Sequence, residues 1–241
     1  MIHADYVFGQ QLTYYTKRFV SDLGGKVLGT VAYPFPGTTD FSSFLVTAKA
    51  SGAKVLGLAM VGADLVNCIK QAREFGLRPA MRLAALDMFI SDLHGLGLEA
   101  AQGILFCSPF YWDLNERTRG FTQRLLHDQK LADYPGMGHA GCYAGTLHYL
   151  KAVAAVGATR AKVDGRAVVA QMKAMPTDDD AFGSARIRRD GRYLGPAYLF
   201  RAKSPAESKG PWDYCEMVSG LPADSIWRPL NEGGCPLVKE G

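Results

Sequence analysis

Asp92 and His94 are a carboxylate and an imidazole close together in the sequence, the raw material of general acid–base chemistry. Two residues apart on a helix they point to different faces, so the pair does not assemble locally. His139 and His148 carry no local catalytic or metal spacing, and each histidine reads as a surface or hydrogen-bonded core residue. Asp178-Asp179-Asp180 has the charge of a cation loop but lacks its glycine and spaced oxygen ligands, and reads as a solvated turn. The five cysteines (Cys68, Cys107, Cys142, Cys215 and Cys235) show no CxxC or Cys/His zinc spacing. Cys68 and Cys107 read as buried thiols, and Cys235 as a more exposed one that an oxidising compartment could couple. No GxSxG elbow, Walker A loop, GxGxxG after a strand or HExxH occurs. The residues imply no enzyme, no cofactor and no metal.

Binding is better represented, and the elements that would position it are legible. The spacing predicts a helix over Gly9–Leu23, a strand over Lys26–Tyr33 and a helix from an Asp40 cap through Ala50. Val55–Val61 reads as a strand covered on both faces, and a helix opened by Asp64 buries Leu65, Cys68, Ile69 and Ala72. A strand near Ala80–Ala85, a short helix near Met88–Leu96 and a strand over Gly103–Cys107 follow. This alternation predicts an α/β fold, a parallel sheet flanked by helices. Helices over Asn115–His127, Cys142–Val156 (apolar at Leu147, Leu150, Val153 and Ala154) and Asp164–Met175 come next. A hairpin over Ala185–Arg188 and Tyr193–Phe200 leads into a Pro- and Gly-rich end.

In an open α/β sheet, ligands sit beyond the carboxyl ends of the strands, where helix N-termini offer free N–H groups. The residues expected there are Asp5, Tyr6, Phe8 and Gly9; Thr38 and Thr39; Val61, Gly62 and Asp64; Leu86, Asp87 and Phe89; and Pro109 to Trp112. That rim is aromatic and lightly charged, which suits a small-molecule cleft. Each residue also has a plainer reading, with Phe8 and Phe89 as core and the aspartates as helix caps.

The chain of 241 residues is long enough for one large domain or two modest ones. It is 48% hydrophobic and 21% charged, with a net charge of +4. The basic cluster Arg186, Arg188 and Arg189 is followed by Asp190 and reads as a hairpin edge, so no nucleic-acid partner is expected. Apolar runs fall far short of the roughly 20 residues a membrane helix needs, so no direct membrane insertion is expected. The start, Met-Ile-His-Ala-Asp, has neither the basic nor the apolar region of a signal peptide. It reads as a cytoplasmic protein or as one whose start has been lost.

Several blocks, in order, resemble a known family. They are Asp5-Tyr6-Val7-Phe8-Gly9, Gly37-Thr38-Thr39-Asp40-Phe41-Ser42-Ser43 and Lys70-Gln71-Ala72-Arg73-Glu74-Phe75-Gly76-Leu77. Gly97–Gly103, Tyr149–Val153, Pro205–Trp212 and the tail Cys235–Val238 continue the series. Together they resemble the type I periplasmic binding proteins, and more narrowly the branched-chain amino acid substrate-binding proteins of ABC transporters.

The resemblance implies two Rossmann-like lobes joined by three crossovers, closing on a solute. Residues 1–108 would be the second lobe, 109–185 a partial, mostly helical first lobe, and 186–241 a hairpin and tail returning to the second. The signal peptide and opening βα units of the family have no counterpart, so the chain is expected to be truncated at its N-terminus. The implied function is capture of a small organic solute for ABC permease subunits, in the periplasm for the full-length protein. The alternatives are a ligand-sensing regulatory domain of the same fold, an enzyme on a similar scaffold, and a non-functional fragment.

Amino-acid binders of this family hold the ligand's ammonium with an acidic residue after the strand that ends here near Ala85. Leu86 takes that position and Asp87 follows it. With Leu86 in the cleft, an aromatic or other carboxylic acid or a neutral amide fits, because a buried unpaired ammonium is costly. A shift of one residue makes Asp87 the partner of an amino acid. The ligand-binding set expected from the resemblance and the rim is Tyr6, Phe8, Gly9, Val61, Gly62, Leu86, Asp87, Phe110, Tyr111 and Tyr143.

Overall fold

A computed structural model of the chain describes residues 1–77, 79–236 and 238. Leu237 of the tail block lies outside the described residues. The contacts divide the chain into two compact units, 1–108 with 199–218, and 109–198 with 219–241. The segment 186–241 is therefore shared between the units, and only 199–218 lies with the first.

The first unit carries the alternation predicted from the sequence. Its elements are β1 (Ile2–Ala4), α1 (Val7–Asp22), β2 (Val31–Tyr33), α2 (Ser42–Ala50), β3 (Val55–Ala59), α3 (Gly62–Glu74) and β4 (Arg82–Ala85), then α4 (Ile90–Leu96), α5 (Leu98–Ala101) and β5 (Leu105–Ser108). The strands pair in parallel in the order β2-β1-β3-β4-β5, with Ile2 beside Val31 and Leu58, and Leu58 beside Ala85. Ile2, Leu56, Leu58 and Leu83 from the sheet and Leu45, Leu65, Ile69 and Leu93 from the helices are buried. Each such side chain contributes roughly 1.5–3 kcal/mol of transfer free energy.

Three sequence expectations change here. The strand read over Lys26–Tyr33 is regular only over its last three residues, because its one neighbour, β1, offers three residues to pair with. Asp40 stands one residue before the N-cap of α2, which is Phe41; its carboxylate accepts the N–H of Ser42, the first residue of the helix, at 2.8 Å. Cys107 is exposed, whereas Cys68 is buried as expected. Burial alternates along β5, so Phe106 and Ser108 face inward and Cys107 faces out.

The sheet is extended beyond β5 by β8 (Ala197–Ala202) and β9 (Cys215–Leu221), the seventh strand in order. Gly103 N–H donates to the Ala202 carbonyl at 2.7 Å and Ala202 N–H to Ile104 at 2.9 Å. The turn between these strands is anchored by the Trp212 ring, which stacks on His94 at 4.3 Å and 4°, while His94 Nδ1 meets the Tyr214 hydroxyl at 2.8 Å.

The second unit contains α6 (Glu116–Asp128), α7 (Met137–Val156), α8 (Ala158–Ala161), α9 (Gly165–Ala174), the small hairpin β6 (Arg186–Ile187) and β7 (Tyr193–Leu194), and α10 (Ala223–Ile226). Asn115 and Asp164 cap α6 and α9 by accepting the Thr118 and Ala167 N–H groups. Its core joins Phe110, Phe121, Ala140 and Ala181, with Trp112, Leu125, Met137, Tyr143 and Phe182 packed around them. The face α7 buries is Ala140, Ala144, His148 and Ala152, not the stripe through Leu150, which is 55% exposed. Small residues allow α9 to approach closely, and His148 Nε2 reaches the Met172 carbonyl on α9 at 2.8 Å. Among the described residues, no helix is long and apolar enough to cross a membrane.

The acidic triplet is likewise not a solvated turn. Asp179 is buried and accepts the N–H groups of Ala181 and Phe182 at 2.9 and 2.7 Å, fixing the turn that carries Phe182 into the core. Asp180 pairs with Arg124. Replacing Asp179 by Ala leaves two buried donors open and is expected to cost about 1–3 kcal/mol. Urea unfolding of Asp179→Ala and Asp179→Asn measures it, with the asparagine, which keeps an acceptor oxygen, expected to lose less.

Candidate functional site

The carboxyl ends of β1, β2, β3 and β4 lie along one edge of the sheet, and the segments leaving them build the site. At β1 the chain turns at once into α1: Tyr6 N–H donates to the Ala4 carbonyl at 2.9 Å and Asp5 N–H to Tyr33 at 3.0 Å. A side chain on Gly9 would place its Cβ 2.2 Å from the Ala4 carbonyl oxygen. Glycine is thus required for α1 to start this close to the strand, and Gly9 serves the rim by packing. The Tyr6 ring is left exposed, stacked on Phe35 at 4.7 Å and 5.8 Å from Phe8, which is half-buried.

The same edge carries three carboxylates, Asp64 and Asp92 in the first turns of α3 and α4 and Asp87 in the loop after β4. Tyr33, buried at the end of β2, donates its hydroxyl to Asp64 Oδ2 at 2.7 Å. Burial and that hydrogen bond raise the Tyr33 pKa well above the usual phenol range, so the group stays a donor at any working pH. Val61 precedes α3 in an extended conformation and Gly62 opens it at a φ of 62°. Asp92, in the first turn of α4, accepts the Phe89 N–H at 2.9 Å and a second hydrogen bond from the Gly62 backbone. Asp92 therefore joins the starts of two helices. Burial raises its pKa above the ordinary aspartate value, and these two N–H groups oppose the rise.

Asp87 follows β4 and is half-buried. Burial first, then the neighbouring charge of Asp92, raises its pKa, with the Met88 N–H in partial opposition. Two carboxylates desolvated side by side favour a cation between or above them. Leu86 turns the other way. Its N–H donates to Leu58, and its Cδ2 lies 3.9 Å from the Cβ position of Gly57, on the sheet face that also carries Met1 and Ala84. Asp87, not Leu86, is the residue after β4 that stands among the rim carboxylates.

Of the expected residues, the structure brings Tyr6, Phe8, Gly9, Val61, Gly62 and Asp87 to this one edge of the first unit. In the second unit, Phe110 and Tyr111 are 3% and 7% exposed. Phe110 is a core residue there, edge-on to Phe121 at 5.8 Å and Phe182 at 6.2 Å. Tyr143 is half-buried, with its ring 5.0 Å from Phe121 and its hydroxyl donating to Asp180 at 3.4 Å. Sequence reasoning missed Phe35 and Tyr33, and it weighed Asp92 only as a partner of His94, not as part of the rim. Phe35, two residues after a strand in a Tyr-Pro-Phe-Pro-Gly stretch, had the signal of a rim loop. Asp92 had that of an acidic first helical turn. Among the described residues no group of three or more His, Cys, Asp or Glu could hold a metal ion.

A family model described as "Periplasmic binding protein" matches residues 1–211. Among solved structures, a periplasmic binding protein from Burkholderia mallei is 42% identical, with a TM-score of 0.90 over 99% of this chain and 61% of that one. A branched chain amino acid ABC transporter periplasmic ligand-binding protein from Burkholderia xenovorans is 35% identical, with a TM-score of 0.83 over 98% of this chain and 62% of that one. A solute binding protein of an ABC transporter from R. palustris, in complex with 4-hydroxybenzoate, shares the fold at 22% identity, with a TM-score of 0.79 over 94% of this chain and 61% of that one. No curated protein matches. The chain spans about three-fifths of the length of these relatives. The parallel sheet, the aromatic and acidic rim at its carboxyl edge and the match over residues 1–211 agree: the chain belongs to the type I periplasmic binding protein family.

Proposed function

We propose that the chain is the solute-capturing part of an ABC importer's substrate-binding protein, and that it takes a small amino acid with an apolar or aromatic side chain for delivery to a permease. The observation that carries this reading is Asp87, a half-buried carboxylate whose ionisation is opposed by burial and by Asp92. An ammonium group within about 4–6 Å reverses that balance by favouring the charged form. The rings of Tyr6, Phe8 and Phe35 offer an apolar face on the same edge of the sheet, and ring faces also attract a cation. The 35% identical relative, named as a branched chain amino acid transporter's ligand-binding protein, supports the same class. Binding asks nothing of the site but complementarity and release, consistent with a rim of aromatic rings and capped carboxylates.

An aromatic carboxylic acid is the second reading, favoured by the same three rings. Its carboxylate would have to lie away from Asp87 and Asp92, since like charges at close range repel. Isothermal titration with L-leucine, L-phenylalanine and benzoate separates the two. The amino acids are expected to bind and benzoate to give no heat, and Asp87→Asn is expected to weaken amino-acid binding at least tenfold. Heat from benzoate alone, unchanged in Asp87→Asn, would establish the aromatic-acid reading instead.

The unliganded protein offers an independent check. A carboxyl group whose pKa is higher in the folded than in the unfolded state favours folding fully below the unfolded value, and that contribution disappears as pH rises through the folded value. At neutral pH the charged Asp87 is thus a liability that Asp87→Asn removes. The variant is expected to need more urea to unfold than the parent at pH 7. The difference should shrink as pH falls towards the ordinary aspartate value of 3.8.

A further inference from the structure

The second unit buries three side-chain oxygens that its own donors and acceptors leave open. Thr177 pairs with Ala185 in an antiparallel bridge, and Ile187, two residues further on, pairs with Tyr193. Residues directly opposite one another share a face, as do residues two apart in a strand. Thr177 and Tyr193 therefore project to the same side of the β6–β7 hairpin. Asp179 joins them there. The Tyr193 pKa is pushed up to about 12, by burial first and then by the Asp179 charge, with the Thr177 hydroxyl in opposition.

Thr177 is 4% exposed, and its hydroxyl and that of Tyr193 approach each other without making a hydrogen bond of ordinary geometry. Neither has another partner among the described residues. Packing holds the Tyr193 hydroxyl in place. A Cβ on Gly195 would lie 2.3 Å from the ring's Cε1 and 2.7 Å from its oxygen, and the Gly195 carbonyl accepts the Trp227 indole N–H at 2.9 Å. Asp179, 7% exposed, accepts the Ala181 and Phe182 N–H groups through Oδ1 alone. Its Oδ2 has no partner among the described residues. Basic side chains at this turn are engaged elsewhere: Arg124 pairs with Asp180, and Lys151 donates to the Asp178 carbonyl. Arg117 lies against Gly183 and forms no ion pair with Asp179.

Buried hydroxyls without partners are uncommon in native proteins, and a buried carboxylate without a cation is costly. A water would serve the hydroxyls and leave the charge uncompensated. One positive charge answers all three oxygens. The set holds a single carboxylate and no nitrogen or sulfur, which is too little charge for calcium and the wrong chemistry for zinc. We infer that Thr177 Oγ1, the Tyr193 hydroxyl and Asp179 Oδ2 form a buried site for an alkali-metal cation, sodium or potassium. The ion would tie the β6–β7 hairpin to the turn that carries Phe182.

The test unfolds residues 1–241 with urea in sodium, potassium or choline chloride at one ionic strength, so that screening is the same in all three. Choline is too large for the site and serves as the blank. An ion bound only by the folded state lowers the unfolding constant. That constant is expected to be about fivefold lower in sodium or potassium than in choline. Amide exchange across residues 177–193 should slow in the same salt. Thr177→Val and Tyr193→Phe keep the shape and remove one oxygen each, so both should lose most of the response. Neither should lose stability in choline, because the hydroxyl removed had no partner. Thr13→Val removes a buried, unpartnered hydroxyl from α1 in the first unit and should keep the full response. Equal unfolding constants in the three salts would overturn the inference, as would a response that persists in both variants or one given by calcium alone. Equal destabilisation by the variants in choline and in sodium would also overturn it, and would assign the hydroxyls to a bound water. None of these readouts depends on the solute proposed for the rim.

Discussion

The rim depends on one close approach, α1 to the end of β1. The Ala4 carbonyl sits where a Cβ of residue 9 would be, so the helix can start there only because residue 9 is glycine. That start places Tyr6 at the turn and Phe8 beside it, and Phe35 reaches them from the end of β2. A bulkier residue would push α1 outward along the whole first turn and carry both rings with it. The rest of the edge is fixed from its other end by Asp92, which accepts backbone donors from the loop before α4 and from the start of α3. Between these two constraints the carboxyl edge of the sheet has little freedom, which is what a binding surface needs in order not to lose affinity to ordering.

The charges of the rim follow from the same local chemistry. Asp64 and Asp92 are bound by groups that helix starts and strand ends offer, a tyrosine hydroxyl and two backbone N–H groups. Asp87 has one backbone donor, from Met88, and Asp92 close by. Its carboxylate therefore remains the least compensated of the three. A protein under selection for stability alone would put an asparagine or an apolar residue there, because burying a charge without a partner is costly. The cost is consistent with a partner that arrives as ligand.

The fold was legible where helical and strand periods are long and backed by their own neighbours. The four residues Leu65, Cys68, Ile69 and Ala72 face the core as their spacing predicts. Reading failed where an element's state depends on a partner distant in sequence. Lys26–Tyr33 has strand composition throughout, yet strand structure stops where β1 stops. The Leu150 stripe of α7 fits a helix period as well as the Ala140–Ala152 stripe does, and only the approach of α9 decides between them. In the site, residue types pointed to the right edge but not to side-chain direction. Leu86 and Asp87 differ by one residue, and one residue in extended chain is the difference between the sheet face and the rim.

Asp179 shows the same limit from the opposite direction. Three aspartates in a row look solvated; Asp178 is exposed as that predicts, while Asp180 meets the expectation only in part, since it is held by Arg124 and Tyr143. The middle one is buried because the turn it fixes delivers Phe182 to Phe110, and Phe110 to Phe121. A core aromatic from a loop needs its backbone donors satisfied at the moment it leaves water, and a carboxylate that accepts two of them does so within one turn. Both units thus use buried aspartates in the same way, to fix loops that carry aromatic rings. In the second unit Asp179 accepts two backbone donors, whereas in the first Asp87 has one, from Met88, with a second carboxylate close by.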